Sequence, residues 1–485
     1  MATKTGKGVA RFDSGKGNTM GIIFPTVAHP KPQYVVDISL NTTIYDGEFG
    51  FDWMRDDWLK EESTCVKGLE KLKQTYTPFN MDIINIDTNK PYGDYYAPWL
   101  TMFPNHKEKI GKDVKLYINT PFEYMALDVP FEEEVKLTTS NTNLRVEPNS
   151  IKIDDLANSA TITIYCDDIL TENAVIELRS STNNALVGKL NVLKNDNYKD
   201  LTINIPIVKA YITDDSTFNK DVIDTEITKA GGLEAIETYL NTKSLNQALI
   251  QVKFQYKEEK EAYDWGFSKR SLSQANKGIN PKNDEEDYDY MKFKGMIKNE
   301  DTMLTDSGKI LNFFHHQFKL KGERIVSLKN IIIYLTSLQA DEAGGSSFVS
   351  PLNNKHCIIF KSNLATLSSY AHEIAHTLGL MHVFPEIDNS LEERLGSANR
   401  QVVVDKEFIR NNVNTSDANT LSFVRKRIKY WEEKAKGYEV LLQRDFYAFK
   451  KGSTKNIMDY SSAKRIFFYK HQIQTIQNET TEYYH

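Results

Sequence analysis

The chain has 485 residues, of which hydrophobic residues make up 40% and charged residues 26%, a balance too apolar for wholesale disorder. Lys+Arg 60 against Asp+Glu 66 leaves a formal net charge of -6, which argues against the clustered basic surface that nucleic-acid binding needs. No run approaches the ~18 uninterrupted apolar residues of a membrane-spanning helix, and three scattered cysteines, Cys65, Cys166 and Cys357, argue against a disulfide scaffold or a thiolate zinc site.

At roughly 150 residues per domain, this length suggests about three domains. Residues 1–32, rich in Gly, Lys, Thr and Pro, read as a tail or docking arm. They lack the apolar stretch of a secretory signal, which leaves a cytoplasmic protein, one exported by a dedicated machine or a mature form, with export from a bacterial cell as the expectation and a cytoplasmic protein as the alternative. Residues 33–110 form a mixed region. It opens on the strand-like run Tyr34–Leu40, continues through the aromatic stretch Phe49–Trp58, which reads as core, and carries a helical segment around Cys65 to Leu72.

Residues 111–205 change character to short alternating runs separated by Asn, Asp, Thr and Ser. Examples are Val114–Ile118, Ala160–Tyr165, Ala174–Leu178 and Leu186–Leu193, with Ser181–Asn184 as a hairpin turn between the last two. Strands at this spacing without helices between them predict an immunoglobulin-like β-sandwich.

Residues 206–485 alternate strand and helix, so the chain as a whole reads as multidomain, a mixed and β-rich N-terminal part followed by an α/β domain. Strands are expected at Ile207–Ile212 and Val252–Tyr256, and at Asn330–Leu335, whose unbroken apolar run suits a strand buried on both faces. A helix is expected from Leu233 to Leu249. The acidic run Asp284–Asp289 lacks the spacing and turn glycine of a calcium loop and reads as a solvated loop. The span 383–455 reads as an insertion with a long helix from Ser416 to Leu442.

The chemistry concentrates in Tyr370–His382. On a helix, residues four apart share a face, so the imidazoles of His372 and His376 can approach one cation together. Glu373 is rotated by about 100° from the first ligand and points beside the ion, the place for a general base. Gly379 can take the left-handed conformation that ends a helix, and the reversal returns His382 as a third ligand. Three neutral nitrogens leave one zinc position open, as in a catalytic rather than a structural site. By residue frequencies the full spacing H-E-x-x-H-x-x-G-x-x-H arises by chance in roughly one chain of this length in 10⁵.

This motif resembles that of the metzincin zinc endopeptidases, which also carry a downstream methionine turn. The resemblance covers about residues 206–485 and implies a catalytic domain with a twisted mixed sheet, an active-site helix and one catalytic zinc ion. It places the methionine turn at Asn456–Tyr460, with Met458 as an apolar floor under the metal and the Tyr460 hydroxyl supporting the developing oxyanion. It also implies that Gly344–Val349 is an edge strand aligning an extended substrate, that His356–Phe360 feeds the active-site helix, and that Ser462–Gln477 is the helix following the turn. Cys357 reads as a core thiol, and His356 and the pair His315–His316, without ligand spacing, as structural or surface residues. The expected activity is hydrolysis of peptide bonds in a protein or peptide substrate, in an effector or toxin whose residues 1–205 dock onto a secretion machine. The competing expectation is an adhesive or docking protein with a vestigial zinc site. The carboxylate of Glu373 counts against it, because metal binding alone has no need of that group.

Overall fold

The alternating runs form strands because every second side chain is apolar and a strand turns those side chains to one face. A computed structural model describes residues 7–10, 22–25, 30–41, 43–53, 65–126, 128–130, 132–156, 158–257, 262–267, 297–299, 304–305, 307–320, 330–340, 343–385, 390–444, 447–460 and 465–484. Its fold is mixed α/β with several sheets.

Two sheets share the N-terminal core. One runs in the order Ser150–Lys152, Glu134–Thr139, Ala174–Ser180, Leu186–Val192, Trp99–Thr101, Gly50–Asp52, and the other in the order Leu144–Glu147, Ala160–Cys166, Val114–Asn119, Asp37–Ser39. Leu137, Ile176, Leu178 and Leu190 of the first meet Leu116, Ile118, Ile162 and Ile164 of the second in one buried cluster. Ser180–Asn184 turns between antiparallel neighbours, as the hairpin reading required. The expected division at 110/111 runs through both sheets, since Asp37–Ser39 pairs with 117–119 and Trp99–Thr101 pairs with 191–192. Each segment has one apolar face that it cannot bury alone, so the two build a joint core.

The remaining sheet has the order Gln251–Gln255, Thr202–Ile212, Ile332–Thr336, His356–Ile359, Gly345–Ser347, and Tyr263–Phe267 pairs with the second half of Thr202–Ile212. All its ladders are parallel except that of Gly345–Ser347, which lies antiparallel at the edge. Ile332–Thr336 is buried throughout. Ile333 and Leu335 face one core with Ile203, Ile205 and Cys357, while Ile332 and Tyr334 face a second with Val208, Ala210 and Ile358. Helices cover both faces, as parallel strands require. Leu233–Lys243, Leu367–Thr377 and Lys470–Glu479 lie on the first face, and Ser307–Leu320 lies on the second. The strand Thr202–Ile212 is continuous across the expected boundary at 205/206.

Several elements differ in extent from their sequence reading. Cys65–Lys67 is a strand paired with Ala448–Phe449, and the helix follows it at Leu69–Thr75. The helix from Leu233 ends at Lys243 and continues as a 3₁₀ turn, Leu245–Ala248. The span 383–455 holds two long helices, Leu391–Asn412 and Ala418–Arg444, packed on each other. The first was not expected because it buries only Ala398, Val402 and Asp405, too few apolar positions to mark a stripe. Most of the arm 1–32, the aromatic stretch beyond Trp53, the acidic run 284–289, the His316 side chain and residues 461–464 lie outside the described residues, although Lys7–Ala10 and Ile22–Pro25 pair antiparallel. Among the described residues no helix is long and apolar enough to cross a membrane.

Candidate metal centre

The helix Leu367–Thr377 is buried at every residue from Ser369 to Thr377, pressed between the sheet and its neighbours. It ends at Gly379, whose φ is +80°. The Leu380 amide donates to the Ala375 carbonyl and the Gly379 amide to that of His376, both at 3.0 Å, a Schellman closure that only a residue tolerant of positive φ permits without strain. The reversal carries His382 back beside the helix.

His372, His376 and His382 converge. The Nε2–Nε2 separations are 3.2 Å between His376 and His372, 3.2 Å between His376 and His382, and 3.3 Å between His382 and His372. The outer nitrogens explain why such crowding is significant. His372 Nδ1 lies 2.8 Å from the Ile457 carbonyl and His376 Nδ1 lies 2.7 Å from the Leu380 carbonyl. A carbonyl only accepts, so both Nδ1 atoms carry the proton and both Nε2 atoms point lone pairs at one spot. Lone pairs that face each other at this distance repel unless a cation lies between them. Nitrogens bound tetrahedrally at 2.0–2.1 Å stand about 3.3 to 3.4 Å apart, so the trio is spaced to hold a metal ion. Burial holds His372 well below the ordinary imidazole range, the Arg465 charge pushes the same way, and the Ile457 carbonyl opposes the shift.

Phe384 stacks on the His382 ring at 4.8 Å and 9°. Tyr460, half exposed, sets its ring 4.7 Å from that of His382 and 5.6 Å from that of His372. Lys451 lies over the Tyr460 and Phe384 rings at 5.0 and 5.3 Å. Met458 is fully buried, and its carbonyl accepts from the Val383 amide at 3.3 Å. The turn around it is pinned by two side chains. Asp459 accepts from the amides of Gly452, Thr454 and Tyr460 and from the Thr454 hydroxyl at 2.7–2.8 Å. Asn456 Oδ1 accepts from the Met458 amide at 2.9 Å. The turn thereby presents the Ile457 carbonyl to His372.

Glu373 is buried, with Oε2 making no hydrogen bond, and burial pushes its carboxyl up to about 8 against the opposing charge of Arg465. A carboxylate whose conjugate acid titrates near neutrality is a stronger base than an exposed one. Gly345 of the edge strand makes room for it, since a Cβ there would stand 2.6 Å from Glu373 Cγ and Oε1.

Of the residues expected at the site, the structure brings together His372, His376 and His382 with the Tyr460 ring beside them, while Glu373 is the helix neighbour of His372 and Met458 lies buried in the turn that follows the Ile457 carbonyl. Cys357 is buried on the sheet strand His356–Ile359, and Cys65 is buried in the strand Cys65–Lys67. His356 stacks on His315 at 3.7 Å, apart from the trio. Three contributions went unread in the sequence: the room made by Gly345, the staple formed by Asp459 and Asn456, and Arg465. Side chains of Asn and Asp that cap their own turns would have signalled the staple. Arg465 has no local signal.

No family model matches the chain, and no curated protein matches it. Among solved structures, the D00-D0 domain of intimin aligns with 18% of this chain and 41% of its own length, at 13% identity and a TM-score of 0.14. A Bacteroides ovatus GH5 xyloglucanase in complex with a XXXG heptasaccharide aligns with 76% of this chain and 96% of its own, at 9% identity and a TM-score of 0.16. Such scores carry no structural argument in either direction.

Proposed function

We propose that this chain is a zinc-dependent endopeptidase of metzincin-like build, with an immunoglobulin-like sandwich ahead of its catalytic part. The observation that carries the proposal is the convergence of three imidazole lone pairs, two of them fixed by backbone carbonyls, beside a buried glutamate that makes no hydrogen bond through Oε2. His372, His376 and His382 would hold the ion, which when bound supplies a Lewis acid that brings the ionisation of water toward pH ~7. Glu373 accepts the proton of the attacking water and passes it to the leaving amine. Tyr460 offers its hydroxyl to the oxygen on which negative charge develops. Gly345–Ser347, paired on one side only among the described residues, offers its free edge to an extended peptide.

The test is metal analysis of the purified chain together with cleavage of a peptide library. Zinc at one equivalent and chelator-sensitive cleavage are expected. Glu373→Gln should keep zinc and lose at least about 10³-fold in kcat, within the range for removal of a positioned proton-transfer group. His376→Ala should lose zinc and activity together. Near-normal cleavage by Glu373→Gln would remove the assignment.

A further inference from the structure

We infer that Arg465 is a positioning residue of this site, one that clamps the active-site helix to the turn bearing Tyr460 and serves the reacting carboxyl and hydroxyl, not the grip on the metal. The inference rests on the proposed function. Arg465 Nη2 donates to Ser368 Oγ at 3.1 Å, in the first turn of the helix that carries His372 and Glu373. Its Nη1 donates to the Asp459 carbonyl at 3.2 Å, next to Tyr460. One rigid fork therefore spans the two elements that must keep register, a task suited to a planar guanidinium.

Nη1 also lies 3.4 Å from His372 Nδ1. That nitrogen already directs its proton at the Ile457 carbonyl, so the approach is a charge beside a ring and not a hydrogen bond. A cation so close to a ligand repels a divalent ion, so holding the ion is not its purpose. Its charge interacts electrostatically with Tyr239, Tyr460, Glu373 and Asp459. Glu373 and Tyr460 are the proton acceptor and hydroxyl of the proposed reaction. A half-buried guanidinium is costly to keep, and a bridge between helix and turn gives it a role.

The experiment uses the full chain as wild type, Arg465→Ala and Arg465→Lys, each checked for its folded far-UV signature. Zinc affinity is read by competition with a chromophoric chelator, and kcat and KM on a peptide that the wild type cleaves. Arg465→Ala should bind zinc as tightly as wild type or more tightly, while kcat falls about 10- to 100-fold and KM stays within about twofold, the range for groups that orient ligands from behind. Arg465→Lys should fall between, because an ammonium keeps the charge but not the fork, and millimolar methylguanidinium should restore part of the alanine variant's rate. Weaker zinc binding in Arg465→Ala, or an unchanged kcat, overturns the inference. A wild type that binds zinc yet cleaves no peptide would defeat the protease reading instead, and the chelator competition alone would then decide on Arg465, weaker binding overturning it and equal or tighter binding supporting it.

Discussion

Gly345 gives Glu373 its place by having no side chain. The clash that a Cβ would cause involves Cγ and Cδ as well as Oε1, so the glutamate could not yield by swinging its tip alone. Gly345→Ala should therefore displace the carboxylate, and a displacement near 1 Å costs about 100-fold in rate when a reacting group must be held in line. Zinc stoichiometry and thermal stability should stay near wild type, because the substitution falls in a three-residue strand at the sheet edge. Kinetics beside metal analysis check this; a fully active Gly345→Ala would mean that Glu373 has room to spare. At this scale the sequence is most informative where the geometry is local. His372, Glu373, His376, Gly379 and His382 sit within one helix and its closing turn, so spacing alone brings them together. Arg465 bonds to Ser368 across 97 residues and nears His372 across 93, and no spacing rule reaches that far.

Among elements, the turn from Thr454 to Tyr460 carries more of the site than any part except the helix itself. It holds His372 by the Ile457 carbonyl and places Tyr460 on the ligand rings, and Asp459, wholly buried, holds the turn. Asp459→Ala would strand three backbone amides and one hydroxyl, each costing about 1–3 kcal/mol when left unpaired in the interior, less what water can repair. A loss of about 3–5 kcal/mol in unfolding free energy is expected on that account, with zinc affinity reduced about 10- to 100-fold as His372 loses its carbonyl partner. Urea unfolding with and without zinc measures both, and a variant that loses stability while keeping its zinc affinity would show that His372 needs no such partner. Elements are legible in the sequence where a local pattern, apolar or ligating, marks them. The strand Ile332–Thr336 is legible in the unbroken apolar run Asn330–Leu335 and the helix Leu367–Thr377 in the spacing of His372 and His376, whereas Leu391–Asn412 is hidden because it is held by its helix partner and by the Arg427 grip on the buried Asp405.

For the molecule as a whole, the expected domain divisions give way to interlocking. Asn246 Nδ2 donates to the carbonyls of Gly47 and Glu48, Gln247 Nε2 donates to that of Ile466, and Cys65, Leu72, Tyr76 and Phe103 belong to the same core as the helix Leu367–Thr377. Composition shifts mark where a pattern changes, and these bonds form only once distant segments meet. Asp52 sits at this junction, accepting from the Tyr76 hydroxyl and, at 2.6 Å, from the Lys470 amide that opens the helix Lys470–Glu479. Burial pushes its carboxyl up to about 6 from an ordinary value of 3.8, although both hydrogen bonds and the Lys470 charge oppose the shift. The folded state therefore binds the Asp52 proton more tightly than the unfolded chain does. The ionised group costs stability above pH 6, and that cost fades as pH falls toward 3.8. His106 acts with the opposite sign, since burial lowers it to about 4 and its contribution is lost as pH falls from 6.5 through that value. Asp52→Asn keeps an acceptor for both hydrogen bonds and removes the Asp52 titration while leaving His106 untouched. Between pH 7.5 and pH 5 the wild type should gain about 1 to 1.5 kcal/mol on the variant, whatever both share from His106. Paired urea titrations at the two pH values read the difference directly, and a difference that does not change with pH would mean that the junction keeps Asp52 in one protonation state throughout that range.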